Sequence, residues 1–162
     1  MAMELEECKR KAVAMLWGYR DNEICIRMLE TQLQELEQQS NYISNMAVSY
    51  DQPGGGRTNK VISPVEDELI QLEQKREQLK RVLTARKSQK QRVDLALENM
   101  PAEKRSLLKL RYIDGMMWKQ VCQHINYSEE YIRKELNDAA VGTLACYLFP
   151  ELSRVNLFAA DI

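Results

Sequence analysis

The stretch LLKLRYIDGMMWKQVCQHINYSEEYIRKELNDAAVGTL, residues 107–144, decides the fold that we expect for this chain. It contains a short helical segment that begins near Trp118, a turn at Asn126, and a longer segment that begins after Ser128 and runs to about Leu144. Ser128 is a favourable N-cap residue, and Asn126 tolerates the left-handed conformation that a sharp turn between two helices requires. Four apolar residues have the spacing to face inward: Val121, Ile125, Ile132 and Leu136. The pattern predicts a helix-turn-helix, although an ordinary three-helix core would show it too.

One more helix is predicted directly before this stretch. Pro101 ends the preceding helix, because the residue before a proline disfavours helical geometry. The next helix runs from Ala102 to Ile113 and closes at Gly115, which can supply a left-handed cap. We therefore expect a helix-turn-helix domain over residues 101–145.

Residues 1–100 are expected to form a long antiparallel helical hairpin, which gives an all-α fold with a coiled coil. Apolar residues recur at alternating steps of three and four over residues 5–43, and this is a heptad seam within a helix of about residues 4–46. A second seam with the same steps covers residues 65–100. The glycine-rich residues 48–62 between the seams are expected to be a loop.

The hairpin is expected to contain a polar layer and to need a partner. Folding about the loop places Asn22 of the first seam near Arg86 of the second, and such a layer can fix the register of a coiled coil. The second helix begins with a capping box in which Ser63 caps, Pro64 takes the first helical position and Glu66 completes the box. Two helices alone would leave exposed apolar flanks, so we expect a homodimer or a higher homo-oligomer.

Composition excludes several classes of protein. No apolar run approaches the ~20 residues that a membrane-spanning helix needs, and the acidic N-terminus lacks the order of a signal peptide. The four cysteines show no CxxC spacing, which argues against a disulfide framework and a zinc site. The single histidine, His124, sits on a helix beside Ile125, where we expect a packed or solvent-facing role instead of general-base chemistry. We expect a cytoplasmic protein that is not an enzyme, with no metal, no cofactor and no contact with a membrane.

Charge is distributed unevenly along the chain. The formal net charge is −1, yet residues 75–111 hold 12 Lys and Arg against 4 Asp and Glu, a net of +8. Such an asymmetry favours a polyanionic partner, although a solvated helix face would look the same.

Three short motifs within residues 105–144 connect this chain to a known group of proteins. They are Leu-x-x-Arg-Tyr-x-x-Gly, Trp-x-x-Val and Tyr-Ser ahead of a helix with a central Arg. The residues are Leu108, Arg111, Tyr112, Gly115, Trp118, Val121, Tyr127, Ser128 and Arg133. The stretch resembles the region-four domain of bacterial sigma factors, and more closely the phage late-gene transcription activators of the RinA/ArpU type. The resemblance is looser over residues 20–104 and absent from the C-terminal tail, residues 146–162.

The resemblance implies a sequence-specific DNA-binding regulator, an activator of phage late genes in the cytoplasm of a bacterial host. The recognition helix, residues 129–144, would lie in the major groove of double-stranded DNA, and RNA polymerase is a possible further partner. Base-edge contacts are assigned to Glu130, Arg133 and Lys134, phosphate contacts to Lys119 and Ser128, and supplementary readout to Tyr131 and Asn137. These residue types agree with such roles, because Arg bonds guanine through two hydrogen bonds and Glu accepts from cytosine. For each residue the alternative is a solvated helix surface, whereas Tyr112, Trp118 and Tyr127 are expected in the core.

Two features depart from the family pattern. Met117 stands where sigma-type domains usually have a cap-forming Ser or Thr, and Glu129 occupies a position that is often basic. Residues 112–145 carry 3 Lys and Arg against 5 Asp and Glu, a net of −2 that is poor for holding phosphates. We therefore expect much of the attraction for DNA to come from basic residues of the preceding segment: Arg86, Lys87, Lys90, Arg92, Lys104 and Arg105.

Two other functions fit the same pattern. One is a DNA-packaging component like a small terminase subunit, which joins a helix-turn-helix to helical oligomerisation elements, typically as a ring. The other is a coiled-coil adaptor whose terminal bundle binds protein, and the acidic surface of the recognition helix favours it.

Overall fold

The computed structural model describes residues 2–50 and 64–151, and every regular element among them is a helix. The predicted all-α fold class is therefore confirmed. Residues 51–63, which hold most of the expected loop and the Ser63 cap, lie outside the described residues, as do residues 152–162 of the tail. Within the described part, no helix is both long enough and apolar enough to cross a membrane.

The first seam lies on two helices instead of the single helix that the pattern predicted. Helix α1 is Ala2–Trp17 and helix α2 is Tyr19–Tyr50. At Gly18 the regular pattern is interrupted, but the Gly18 N–H still donates to the carbonyl of Ala14 at 3.0 Å. Because helical hydrogen bonding continues across Gly18, the interruption is local. Helix α2 also includes the first three residues of the predicted loop, 48–50.

The middle of the chain follows the predicted boundaries closely. Helix α3 is Pro64–Glu98, and Pro101 separates it from helix α4, Ala102–Leu108. A π-helical turn, Lys109–Ile113, extends α4. Gly115 follows with φ 69°, which is the left-handed conformation predicted for it.

The helix-turn-helix stretch ends in a longer helix than predicted. Helix α5 is Trp118–Ile125. After the turn come α6, Glu129–Tyr131, a π-helical turn, Ile132–Leu136, and α7, Asn137–Leu148. These three segments are continuous, and we call residues 129–148 the C-terminal helix.

The start of the expected tail belongs to the fold. The expected tail began at Cys146, but residues up to Leu148 are part of α7, and the Leu148 side chain is buried. The helix continues because Ala145 and Leu148 pack into the same core as the residues before them.

The chain divides into two compact units whose boundaries differ from the expected domains. Unit 1 comprises residues 1–23 together with residues 88–162, and unit 2 comprises residues 24–87. The expected boundary near residue 100 thus falls inside unit 1. The reason is that α1 and the end of α3 share one apolar core with the helix-turn-helix.

The core of unit 1 is built from five helices and the π-helical turns. The α1 side chains Ala12 and Leu16 are fully buried, as are Leu107 of α4 and Leu144 of α7. At the surface, Lys9 Nζ of α1 lies 2.9 Å from Asp138 Oδ1 of α7. The first helix is therefore an integral part of this unit. The buried cluster comprises Cys8, Ala12, Leu16, Val93, Ala96, Leu97, Met100, Leu107, Leu108, Tyr112, Val121, Ile132, Leu136, Ala140, Val141, Leu144, Ala145 and Leu148.

Unit 2 contains the parts of α2 and α3 that approach the loop. Lys87 Nζ lies 2.6 Å from Glu30 Oε1, and Arg76 Nη2 lies 3.9 Å from Glu37 Oε1. Residue numbers rise along α2 as they fall along α3, which is the order of an antiparallel pair. The predicted polar layer joins residues of different units, since Asn22 is in unit 1 and Arg86 in unit 2, and it stays a prediction.

Candidate nucleic-acid interface

Helix α5 begins without a hydroxyl side chain at its cap. Met117 precedes it in an extended conformation, with φ −67° and ψ 151°. The Gln120 side-chain oxygen accepts a hydrogen bond from the Met117 N–H at 3.0 Å. The side-chain amide of Gln120 thus accepts from a backbone N–H at the start of the helix, and this hydrogen bond is one half of a capping box. This is how the chain tolerates Met117 at that position.

The turn after α5 has the predicted geometry. Asn126 has φ 61° and ψ 34°, and its N–H donates to the carbonyl of Cys122 at 3.0 Å. The side chain of Ser128 then accepts from the N–H of Tyr131 at 3.4 Å, so Ser128 caps the C-terminal helix. Both predictions, the left-handed Asn126 and the Ser128 cap, are confirmed.

The inner sides of both helices are held by apolar packing. Val121 of α5 and Ile132 of the C-terminal helix are fully buried, and Leu136 is nearly so. Ile125 is half-buried and packs against the same core. These are the four residues predicted to face inward, and their burial fixes how the C-terminal helix is rotated about its axis.

A charged surface on the first turns of the C-terminal helix is open to solvent. We call Glu129, Glu130, Arg133 and Lys134 the outer face. Their side chains are between 47% and 76% exposed. Arg133 Nη1 lies 3.4 Å from Glu129 Oε1, and Lys134 Nζ lies 2.7 Å from Glu130 Oε1. The outer face therefore presents two cations, each paired with an acidic residue one helical turn earlier.

Two further candidates differ in accessibility. The Tyr131 ring is 39% exposed and lies 5.2 Å from the ring of Tyr127, centroid to centroid. Asn137, in contrast, is half-buried, and its Oδ1 accepts from the hydroxyl of Tyr112 at 3.0 Å. Because this hydrogen bond ties Asn137 to the core, it is a poorer candidate for base readout than Tyr131.

The helix-turn-helix and the segments before it match a protein family. The matching family is described as protein of unknown function (DUF722), and the match covers residues 21–141, or 121 of the 162 residues. The chain belongs to the DUF722 family. No curated protein and no solved structure gave a match to it. In this DUF722 chain the matched region includes α5, the turn and the whole outer face.

In this DUF722 chain, an arginine side chain contacts two tryptophan rings, one of which belongs to α5. The Arg111 guanidinium lies 4.8 Å from the ring centroid of Trp118 and 5.5 Å from that of Trp17. Arg111 Nη1 also donates to the carbonyl of Met116 at 2.8 Å. Such stacking contributes roughly 0.5–2 kcal/mol for each ring. Trp118 is half-buried, as a residue at the edge of the core should be.

Tyr127 is not in the core, contrary to prediction. It is 46% exposed, and a hydrogen bond with Glu103 of α4 and the charge of that carboxylate raise the pKa of its hydroxyl. The Tyr127 ring thus lies at the surface, beside the ring of Tyr131. By contrast Tyr112 is buried, as predicted.

Lys119 and the basic residues before the helix-turn-helix have different surroundings. Lys119 is exposed, and among the described residues it has no hydrogen bond or ion pair. Lys90 contacts two carboxylates, Asp94 at 2.9 Å and Glu23 at 3.5 Å, and lies over the ring of Tyr19. Its positive charge is thus largely offset within unit 1.

Three other cations of unit 1 donate hydrogen bonds to neutral acceptors and, within the part of the chain that the structure describes, have no carboxylate partner. Arg92 Nη2 donates to a carbonyl of the C-terminal helix at 2.6 Å, and Lys104 Nζ donates to a hydroxyl of the same helix at 3.0 Å. Arg105 Nη1 donates to the last carbonyl of α3 at 3.3 Å. A neutral acceptor leaves the net positive charge in place, so these three can still attract an anion. Arg86 and Lys87 belong to unit 2, where Lys87 is paired with Glu30.

Glu129 is the residue of this surface that sequence reasoning assigned no role. From the sequence, Glu129 was notable only as an acidic residue at a position that is often basic in sigma factors. In the structure it pairs with Arg133. The spacing of four residues between them is a signal that could have predicted the pair. No group of three or more His, Cys, Asp or Glu residues that could hold a metal ion occurs in residues 2–50 or 64–151.

Proposed function

We propose that this chain is a sequence-specific DNA-binding transcriptional regulator, an activator of phage late genes in the cytoplasm of a bacterial host. The observation that carries the proposal is the exposure of the outer face on a helix that follows a left-handed turn at Asn126. An exposed helix of this kind can enter the major groove, which is wide enough to admit it. The C-terminal helix is then the recognition helix.

The side chains of the outer face suit base edges. Arg133 would take guanine through two hydrogen bonds, Lys134 would donate to guanine acceptors, and Glu130 would accept from the amino group of cytosine. Tyr131 would offer its ring to a thymine methyl group. Lys119 and the backbone N–H groups after Ser128 would contact phosphates.

Basic residues in the rest of unit 1 would add sequence-independent attraction. Arg92, Lys104 and Arg105 keep their net charge because their acceptors are neutral. Phosphate neutralisation by such residues supplies much of the affinity of DNA-binding proteins. Lys90 would contribute less, because two carboxylates already surround it.

The regulator would act as a homodimer or a higher homo-oligomer, with RNA polymerase as a further protein partner. Support for oligomerisation comes from the seam of unit 2, where Ile26 and Leu36 are the only buried seam residues within 24–50 and 64–87. The other apolar seam residues of unit 2 are half-buried, among them Leu33, Leu69 and Leu79. A second copy could cover this apolar area. We propose no enzymatic activity and no cofactor.

The experiment compares a double variant with a matched control on DNA. Duplexes that the wild-type protein selects from a random library serve as probes, and binding is measured by fluorescence anisotropy. Arg133→Ala with Lys134→Ala should weaken binding by about fivefold or more for each residue, since a base contact contributes roughly 1–3 kcal/mol. Arg10→Ala with Lys11→Ala removes the same charge from adjacent exposed residues of α1 and should change binding little. Equal losses in both double variants would refute the assignment of the recognition helix.

One observation favours a second function, a coiled-coil adaptor that binds protein. Both cations of the outer face are paired with acidic residues, so the net charge of this face is zero. A surface of this kind also suits a protein partner with mixed charge. Failure of the wild-type protein to enrich any duplex from the library would favour the adaptor.

A further inference from the structure

The acidic residues of the outer face have a defined relation to its cations. Glu129 and Glu130 each lie one helical turn before a cation, and both ion pairs are solvent-exposed. Glu135 is on the same helix and is also exposed, but among the described residues its carboxylate has no ion-pair partner. The pairing therefore distinguishes Glu129 and Glu130 from Glu135.

A paired carboxylate affects phosphate contacts and base contacts differently. A cation that approaches a phosphate must leave its carboxylate or bring that carboxylate toward the phosphate, and the two anions repel each other. At a base edge the same carboxylate can accept a hydrogen bond from the amino group of cytosine or adenine. Contacts of the outer face with phosphates are thus weakened, whereas its contacts with suitable bases are not.

We infer that Glu129 and Glu130 are specificity-determining residues, which hold Arg133 and Lys134 away from phosphates and so lower affinity for DNA of arbitrary sequence. The inference rests on the proposed DNA-binding function and deepens it. Binding to arbitrary DNA depends almost entirely on phosphate contacts. Suppressing such contacts at the recognition helix lowers that binding more than binding to the correct site.

The test uses the full chain with Glu129→Gln and Glu130→Gln, singly and together. Two probes are compared, a duplex of random sequence and a duplex selected by the wild-type protein. Each cation released toward a phosphate should steepen the dependence of log affinity on log salt by about 0.9. Two released cations change affinity by about 12-fold between roughly 50 and 200 mM salt. We expect the double variant to bind the random duplex about tenfold more tightly at the lower salt, with most of this gain lost at the higher salt.

The selected duplex should gain less, so the preference of the double variant for it over the random duplex should fall. Each single variant should show about half of the change in salt dependence. Glu135→Gln makes the same change of charge on the same helix without breaking an ion pair, and we expect both affinities to stay close to those of the wild type. Circular dichroism checks that every variant is folded.

Three results would overturn the inference. An equal gain in Glu135→Gln would mean that only net charge matters. Unchanged affinity and salt dependence in the double variant, with the wild-type preference for the selected duplex intact, would refute the role of the ion pairs and leave the proposed function standing. A wild-type protein that binds neither duplex would refute the proposed function and this inference together.

Discussion

Truncating Leu16 of α1 to alanine is expected to destabilise the helix-turn-helix, although the two are far apart in sequence. Leu16 is fully buried in the core that also holds Val121 and Ile132. The change removes three carbon atoms, and at about 0.8 kcal/mol for each the transfer free energy lost is about 2.4 kcal/mol. The cavity left behind raises the expected loss of unfolding free energy to roughly 2.5–5 kcal/mol.

Hydrogen exchange measured by mass spectrometry can locate this effect. If α1 and the helix-turn-helix form one cooperative unit, amides of α5 and the C-terminal helix should exchange about 60-fold to several thousand-fold faster in Leu16→Ala. Met28→Ala, at a side chain of unit 2 that is 56% exposed, should leave them unchanged. Faster exchange confined to α1, with full protection of α5, would refute the assignment of α1 to unit 1.

Other predictions concern the turn at Asn126, the partly buried Lys90 and the oligomeric state. Asn126→Gly should change the free energy of unfolding by less than about 0.5 kcal/mol. Asn126→Val should lower that free energy by about 1–2 kcal/mol, because φ is positive at this position. Urea titration of both variants tests this. Hydrogen bonds with Tyr19 and Asp94 raise the pKa of Lys90. Its contribution to stability is therefore fully present below the unfolded pKa of about 10.4 and is lost as pH rises through the higher folded pKa. The thermal midpoint of Lys90→Met should accordingly fall less steeply than that of the wild type above about pH 10, and an equally steep fall would contradict this. Light scattering should give the mass of a dimer, whereas a closed ring would favour the DNA-packaging alternative.

The turn and the packing next to it were predictable because local rules determine them. A left-handed Asn126, a cap at Ser128 and the inward positions of Val121 and Ile132 all depend on residues a few positions apart. Propensity and helical spacing act over that distance. The ion pairs of the outer face are equally local, so they too could be predicted from the sequence.

The partner of a helix could not be predicted in the same way. Cys8 and Ala12 lie in the same heptad seam as Ile26, yet the first two pack in the core of unit 1 and Ile26 lies in unit 2. A seam shows that a helix has an apolar side, but it does not identify what covers that side. The break at Gly18 has no strong signal either, since an isolated glycine is tolerated within a helix.

The surroundings of single polar side chains also could not be predicted from the sequence. Tyr127 has an aromatic ring that could be buried, yet it is 46% exposed, and its proximity to Glu103 depends on how α4 packs. The charge count of residues 75–111 treats Lys90 and Arg92 alike. Their acceptors, carboxylates for one and a carbonyl for the other, come from other parts of the chain.

The contact between Lys9 and Asp138 joins residues 129 positions apart. At roughly 5–20 residues per second, a ribosome needs about 6–26 s to make the chain between them. Throughout that interval the nascent α1 exposes the apolar side that α7 will later cover. A chaperone that binds exposed apolar helices would therefore have a target on α1 for the whole of that interval, and α1 would become native only after α7 has been made.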